Sequence, residues 1–452
     1  MGRVFPNRET LGMLAERERQ LSSALDLVLE RRRWGREATT AFHIRALQKL
    51  LAFANERVPL YRDKFQAANF RPEELHSLDD LSRVPFLTKD DLRQNDLSRL
   101  KPVGLNEDVR LLSSSGSTGI ASKLFRDEIS LAYFTAYDIV LYYEWCEGKP
   151  LAEAVYFLDI VPGSIDAALA DWLRTTVPES RIASSSEPVD EQISRIERLR
   201  PEFISSYPST LRNISMRLDQ RGKSYKLAKL LHATSEMLDA KTKMLLKKVF
   251  PNAKIEQTYT STEAGLIAYQ CHEGRWHLCE EAAIYEVVDP QGRPTDELGE
   301  LVVTNLMNWA TPVIRYRGLG DLCRWDHSQC RCGSQARSLA QLEGRATESL
   351  FKADGSFVTP FEVTNALEEV SGIYQFQIIQ PALDQIEILA VAERSSKHSE
   401  HEIAGEIKKI VEQLFTDATR CDVCFVGSIP CRTGSHKTPL VISLIARVEN
   451  AK

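Results

Sequence analysis

Five stretches of this 452-residue chain end apolar runs in side chains able to handle a nucleotide. In "VRLLSSSGSTGIASKLF", residues 109–125, a strand-like run empties into Ser115, Gly116, Ser117, Thr118 and Gly119. Hydroxyls, backbone N–H groups and glycines that allow close approach are equipment for holding phosphate oxygens. The Walker spacing is absent, and the bare pattern also fits a Ser/Gly connector. "IEQTYTSTEAG", residues 255–265, offers Tyr259 as a flat face for a base, Thr262 as a hydroxyl for a phosphate and Glu263 as a hard oxygen ligand for Mg²⁺. "TPVIRYRGLGDLC", residues 311–323, leads past Arg315 and Arg317 to Asp321, a carboxylate able to accept both hydroxyls of a ribose; the same pattern also suits a surface turn. "LEGRATESLFKADGSFVTPFEV" contains Gly344-Arg345, and "IPCRTGSHKTPLVI" places Lys437 in a loop between two strand-like runs. A second kind of chemistry lies in Cys271, His277, Cys279, Cys330 and Cys332, soft ligands suited to tetrahedral Zn²⁺. His272, Cys279 and Cys323 are possible substitutes, and unligated core cysteines are the plainer alternative. Cys421-Asp-Val-Cys424 has a knuckle's spacing, but Val423, Phe425 and Val426 make it strand-like. His232 either lines a pocket or is a satisfied core histidine.

The elements that must position these residues follow from periodicity. Leu11, Leu14, Leu21, Leu25 and Leu29 form one apolar stripe among Arg and Glu, so residues 8–55 read as helices. The run Arg31-Arg32-Arg33 is then a solvated face, with anion binding as the sharper alternative. Ser77 and Thr88 are N-cap-like starts on either side of Pro85. Beyond residue 105, runs such as "AVYFLDIV", "EFISSY" and "KLLHAT" alternate with helical segments, predicting a layered α/β sheet. Residues 282–304 predict a hairpin. After Gly344 the order strand, helix, strand, helix, strand predicts a small α+β domain, so the division is 1–343 and 344–452.

Composition removes other classes. Lys plus Arg number 57 against 63 Asp plus Glu, a net charge of −6, which disfavours a phosphate-neutralising surface for nucleic acid. No stretch approaches the ~20 apolar residues of a membrane span. The start "MGRVFPNRETLG" shows no apolar signal core, and the odd count of 9 Cys suits a reducing compartment; both predict a cytoplasmic location.

In this order and spacing, the five stretches resemble the adenylate-forming superfamily of acyl-CoA synthetases, adenylation domains and luciferases. "ANERVPLYRDKF", "LDDLSRVPFLTKDDLR", "SSYPSTL" and "LGELVVTNL" with "TPVIRYR" are most similar to its phenylacetate-CoA ligase and CapK branch. The resemblance implies a large N-terminal domain of layered sheets and helices that binds ATP and acid, plus a small mobile C-terminal lid. It implies that Ser115 to Gly119 wrap the ATP phosphates, Tyr259 stacks on adenine, Thr262 touches the α-phosphate, Glu263 holds Mg²⁺, Asp321 binds the ribose with help from Arg345, and Glu236 joins the nucleotide site. Lys437 would be the catalytic lysine, with Thr262 and Glu263 beside it. It implies a structural Zn²⁺ on Cys271, His277, Cys330 and Cys332, and Gly355 on the CoA side.

The implied reaction is ATP-dependent adenylation of a small carboxylic acid, aromatic in this branch, followed by transfer to CoA; secondary metabolism is the expected setting and a homodimer a superfamily habit. Ile120 and Ala121 replace the usual Lys-Pro, with Lys123 as a substitute phosphate contact. Thr347 followed by Glu348 replaces the hinge Asp, and His436 replaces the glycine before Lys437. These departures keep open an amine or other acceptor, nitrite activation, or a degenerate member that only binds nucleotide.

Overall fold

The computed structural model describes residues 8–105, 109–114, 121–146, 154–174, 177–345, 349–393, 397–415, 419–429 and 439–445. The Leu-striped N-terminus forms two helices, Arg8–Arg31 and Arg36–Arg57. Their buried faces, including Leu21, Val28, Leu47, Leu50 and Leu51, pack onto the sheet region described below.

A twelve-stranded sheet organises the chain through residue 345. Its parallel part holds Ile182–Ser184, Ala154–Leu158, Phe203–Ser206, Leu230–Thr234 and Lys254–Ser261 side by side. These strands are short apolar runs with helices between them, as parallel strands covered on both faces require. The sheet then turns antiparallel through Gly265–Gln270, Trp276–Leu278, Ser338–Arg345, Asp321–Asp326, Gly299–Asn305 and Ala283–Val288. The hairpin expected over 282–304 is the last pair of this series.

Thr88 caps the helix Lys89–Gln94 through a reciprocal capping box with Asp91. Ser77 does not cap in that way. The short 3₁₀ turn Asp79–Arg83 follows instead, and the Asp80 carboxylate accepts from the Ser77 N–H at 2.8 Å, so the longer acid closes the turn backwards.

The C-terminal part alternates strands and helices as expected after Gly344, but with two strands rather than one between its helices and two after the second: a four-stranded sheet of Arg420–Phe425, Gln385–Ala392, Ile373–Ala382 and Val441–Ser443 with helices Pro360–Glu368 and Glu400–Leu414. It has its own core, from Leu350 and Val358 through Ile378, Ile388 and Ile407 to Val441. The large sheet's strand Ser338–Arg345 runs up to this part. Gly344 there adopts φ +82°, and a Cβ on it would stand 2.8 Å from Pro360 Cβ, so only glycine fits the approach. Contacts with the larger part are local: the Thr359 hydroxyl donates to Glu343 at 3.0 Å, the Ala240 N–H to Glu368 at 2.6 Å and the Tyr374 hydroxyl to Asp219 at 2.8 Å.

Candidate active site

A cavity of about 920 Å³ opens where the parallel strands end and the C-terminal part approaches. Ligands of open α/β sheets bind at that edge. Tyr259, Thr262, Glu263, Asp321 and Glu236 all line it, so residues singled out from separate stretches of sequence converge on one space. The Tyr259 hydroxyl donates to the Asp321 carboxylate, which fixes the ring and the acid as one unit. In the sheet register Asp321 pairs with Arg345, which puts the latter's backbone beside the proposed ribose acid.

Glu263 is buried at 6% exposure, and its carboxylate accepts from the Tyr316 hydroxyl at 3.2 Å. The turn that carries it is held from below by Arg126, a fully buried guanidinium. Arg126 donates to the Thr262 carbonyl from Nε at 3.2 Å and from Nη2 at 3.0 Å, and to the Glu263 carbonyl at 3.2 Å. Burial lowers its pKa to about 10, so it stays charged at neutral pH. Glu236 accepts from the N–H and hydroxyl of Ser209, in the first turn of the helix Pro208–Gln220, where the helix dipole favours an anion.

Ser115 to Gly119 and Lys437 lie outside the described residues, as do Ile120, Thr347, Glu348 and His436. The chain on either side of these segments is placed: Ser113 and Ser114 before the first, and Pro439, Leu440 and Val441 after Lys437, line the same cavity. Gly355 is in an exposed turn closed by a Gly355 N–H to Lys352 carbonyl bond.

His232 both lines the cavity and is satisfied. Its Nδ1 lies 2.8 Å from the Ser205 hydroxyl and 3.1 Å from the Tyr142 hydroxyl, and its Nε2 lies 2.8 Å from the Thr258 hydroxyl. Burial pushes its pKa down to about 3, so the imidazole is neutral.

Other expectations resolve as structural. Arg315 is buried, ion-paired with Glu286 and bonded to the Ser82 and Val84 carbonyls, while Arg317 pairs with Glu300. Arg31 and Arg32 are not the solvated face of their helix. Arg31 donates to the Glu281 carbonyl and lies over the Phe42 ring, and Arg32 pairs with Glu144 and donates to the Tyr137 hydroxyl. Helix packing turns both inward; Arg33 alone is exposed.

The ligand atoms of Cys271, His277, Cys330 and Cys332 all lie within 4.8 Å of one another. Cys271 Sγ and Cys330 Sγ are 3.7 Å apart, close to the ~3.8 Å that two thiolates at ~2.3 Å from one tetrahedral zinc would span. His277 turns Nε2 to within 3.2 Å of Cys332 Sγ, and its Nδ1 lies 3.2 Å from the Ala336 carbonyl. A proton on Nδ1 donates there and leaves Nε2 as ligand, the usual outer support of a metal-binding histidine. Three thiols and an imidazole thus fit zinc. Cys279 and Cys323, the weighed substitutes, are buried outside this group.

Arg126 had no motif to announce it, although a basic residue inside the apolar-flanked "KLFRDE" was the available signal. Asp138, which also lines the cavity, was hidden inside a helix of mostly apolar residues.

Comparison with known proteins places the chain among its relatives. Residues 350–443 match the CapK C-terminal domain family. A phenylacetate-coenzyme A ligase of Thermus thermophilus is 29% identical over 379 residues, 78% of this chain and 81% of that protein. Those of Pseudomonas putida and Escherichia coli are 24% and 26% identical, each over 87% of this chain and 92% of the relative. A solved structure of 2-hydroxyisobutyryl-CoA ligase in the postadenylation state, in complex with 2-HIB-AMP, superposes with a TM-score of 0.77 at 19% identity, covering 92% of this chain and 91% of that one. The anthranilate CoA ligase AuaEII in complex with anthranoyl-AMP superposes at 0.52 and 17% identity, over 75% of this chain and 68% of that one. No helix among the described residues is long and apolar enough to cross a membrane. The chain is similar to the phenylacetate-coenzyme A ligases over most of its length, shares the fold of the acid–CoA ligase it superposes on, and matches the CapK C-terminal domain family over residues 350–443.

Proposed function

We propose that this chain is an AMP-forming acid–CoA ligase acting on a small, aromatic carboxylic acid. The observation that carries the reading is the convergence of Tyr259, Thr262, Glu263, Asp321 and Glu236 on one cavity at the ends of parallel strands. The aromatic preference draws support from Phe134, Tyr142 and Tyr156 on the cavity wall and from the phenylacetate ligases among the relatives.

The acid's carboxylate oxygen attacks the α-phosphorus of ATP and pyrophosphate leaves. The thiol of CoA then attacks the acyl carbonyl and AMP leaves. A carboxylate is already nucleophilic at pH 7, so the work is to bring two anions together and to stabilise spreading charge. Tyr259 and Asp321 hold the nucleoside; the 115–119 loop and Thr262 hold phosphates. Mg²⁺ on Glu263, when bound, screens the phosphate charge. Lys437, from the C-terminal domain of residues 344–452, brings an ammonium to the reacting groups. Cys271, His277, Cys330 and Cys332 would hold Zn²⁺ with four protein ligands, and its role would be structural. Reduced thiol ligands fit a cytoplasmic setting.

Pyrophosphate exchange over a panel of aryl and alkyl acids tests the reading, with products compared with and without CoA. Lys437→Ala is expected to lose exchange while retaining ATP binding. Full exchange in that variant, or none with any acid in the unaltered chain, refutes it.

A further inference from the structure

The helix Glu128–Trp145 puts Phe134, Asp138 and Tyr142, one turn apart from each other, onto the cavity. Phe134 lies beside the turn that carries Glu263, 3.3 Å from where a Cβ on Gly265 would be. Tyr142 lies at the other end, its hydroxyl on His232 and its ring 4.8 Å from that of Phe203. Asp138 is therefore one turn, about 6 Å, along the helix from Phe134, away from the Glu263 turn. That distance is the reach of one aromatic ring with a substituent opposite its carboxyl group.

No described residue gives Asp138 a hydrogen bond or an ion pair. Among the described residues, the charged group facing it is another carboxylate, Asp166, from the neighbouring helix Ile165–Leu173; Tyr142, Tyr156 and Cys279 are also near it. Among the cavity's cations, Arg212 is paired with Asp239, and neither it, Lys89 nor Lys243 acts on Asp138. Burial and Asp166 raise the Asp138 pKa to about 8. Asp138 is half-buried, so its carboxyl is partly withdrawn from water while still open to the cavity, and a charge there without compensation is disfavoured. Its remaining hydrogen-bonding capacity faces the cavity, where a bound molecule would meet it.

We propose that the acid activated here carries a hydrogen-bond donor, an amino or hydroxyl group, at the end remote from its carboxylate, and that Asp138 receives this donor. The proposal rests on the acid-activating reading above. Asp138 selects the substrate by its tail and takes no part in bond making, while Tyr142 and Tyr156 bound the ring between tail and carboxylate.

The test compares kcat/KM in pyrophosphate exchange for phenylacetate and for its 3- and 4-amino and 3- and 4-hydroxy derivatives, using the full chain, Asp138→Leu and Asp138→Asn. The unaltered chain is expected to favour at least one substituted acid over phenylacetate by roughly tenfold or more, because a site built for a donor rejects the analogue lacking it. Asp138→Leu should invert that order, and the isosteric Asp138→Asn should fall between the two. The amino and hydroxy arms tell which donor is meant. Preference for phenylacetate by the unaltered chain, or a preference for substituted acids that survives both substitutions, overturns the assignment while leaving acid activation standing. Absence of exchange with every acid overturns the activating reading itself and this proposal with it.

Discussion

At the scale of single residues, the cavity is lined by groups whose ionisation is set by burial. His232 is hydrogen-bonded through both ring nitrogens to hydroxyls, each able to accept or donate, and none is a carboxylate that would favour the imidazolium. Its folded pKa of about 3 lies below the ordinary 6.5, so between those values the unfolded chain binds a proton that the folded chain refuses. This contribution to stability is complete above about pH 6.5 and is lost as the pH falls toward 3. Denaturant unfolding at pH 7 and pH 4 checks it. The stability advantage of the unaltered chain over His232→Gln should shrink by roughly 3 kcal/mol between the two, and an advantage independent of pH would contradict a neutral histidine. Arg126 shows the opposite solution to burial, keeping its charge and spending its donors on the carbonyls of Thr262 and Glu263.

At the scale of elements, the cysteine and histidine group joins segments that sheet pairing alone leaves loosely tied. Cys271 directly follows the strand Gly265–Gln270, His277 lies in Trp276–Leu278, and Cys330 and Cys332 belong to the connection between Asp321–Asp326 and Ser338–Arg345. The pairing of Trp276–Leu278 with Ser338–Arg345 spans only two residue pairs, His277 with Ser338 and Trp276 with Leu339. A metal here would brace the strand that ends at Arg345, beside Asp321. Freshly purified protein is expected to hold about one zinc per chain. Chelation or Cys330→Ser should lower the melting temperature by several degrees, on the order of a few kcal/mol, with a smaller effect on the exchange rate measured below the new melting point. Protein without bound metal, equally stable with and without chelator, would exclude the site.

At the scale of the whole molecule, two cores meet along a seam of few polar contacts. Lys241 donates to the Val370 carbonyl, the Ala240 N–H to Glu368 and Tyr374 to Asp219, all between the helix region 219–249 and the C-terminal part. Interfaces of this kind are easily separated, since each contact is worth only ~1 kcal/mol net. Removing two of them in Glu368→Ala with Tyr374→Phe should therefore leave the melting temperature almost unchanged while changing pyrophosphate exchange and thioester formation by different factors. Equal changes in both rates would mean that the seam has no part in the choice between the two half-reactions.

Sequence alone determined the chemistry-bearing stretches and their order, the helical N-terminus, the hairpin over 282–304, the Thr88 cap and the separate α+β region after Gly344. Each is local: a residue type beside a turn, or a period of two or 3.6. The metal group was legible because a Cys-x5-His pair and a Cys-x-Cys pair together offer four ligands suited to zinc, although the separation between Cys271 and Cys330 gave no distance. What only the tertiary structure decided is which faces meet. Arg31 and Arg32 looked solvated on their own helix and are half-buried because helix Glu128–Trp145 and the sheet cover them. Arg126 gained its role from carbonyls 136 and 137 positions away, and Asp138 from the cavity that strands and a neighbouring helix close around it. Periodicity reports that a side has a partner; only the packed chain supplies which partner it is, and with it the charge, burial and hydrogen bonds from which the chemistry follows.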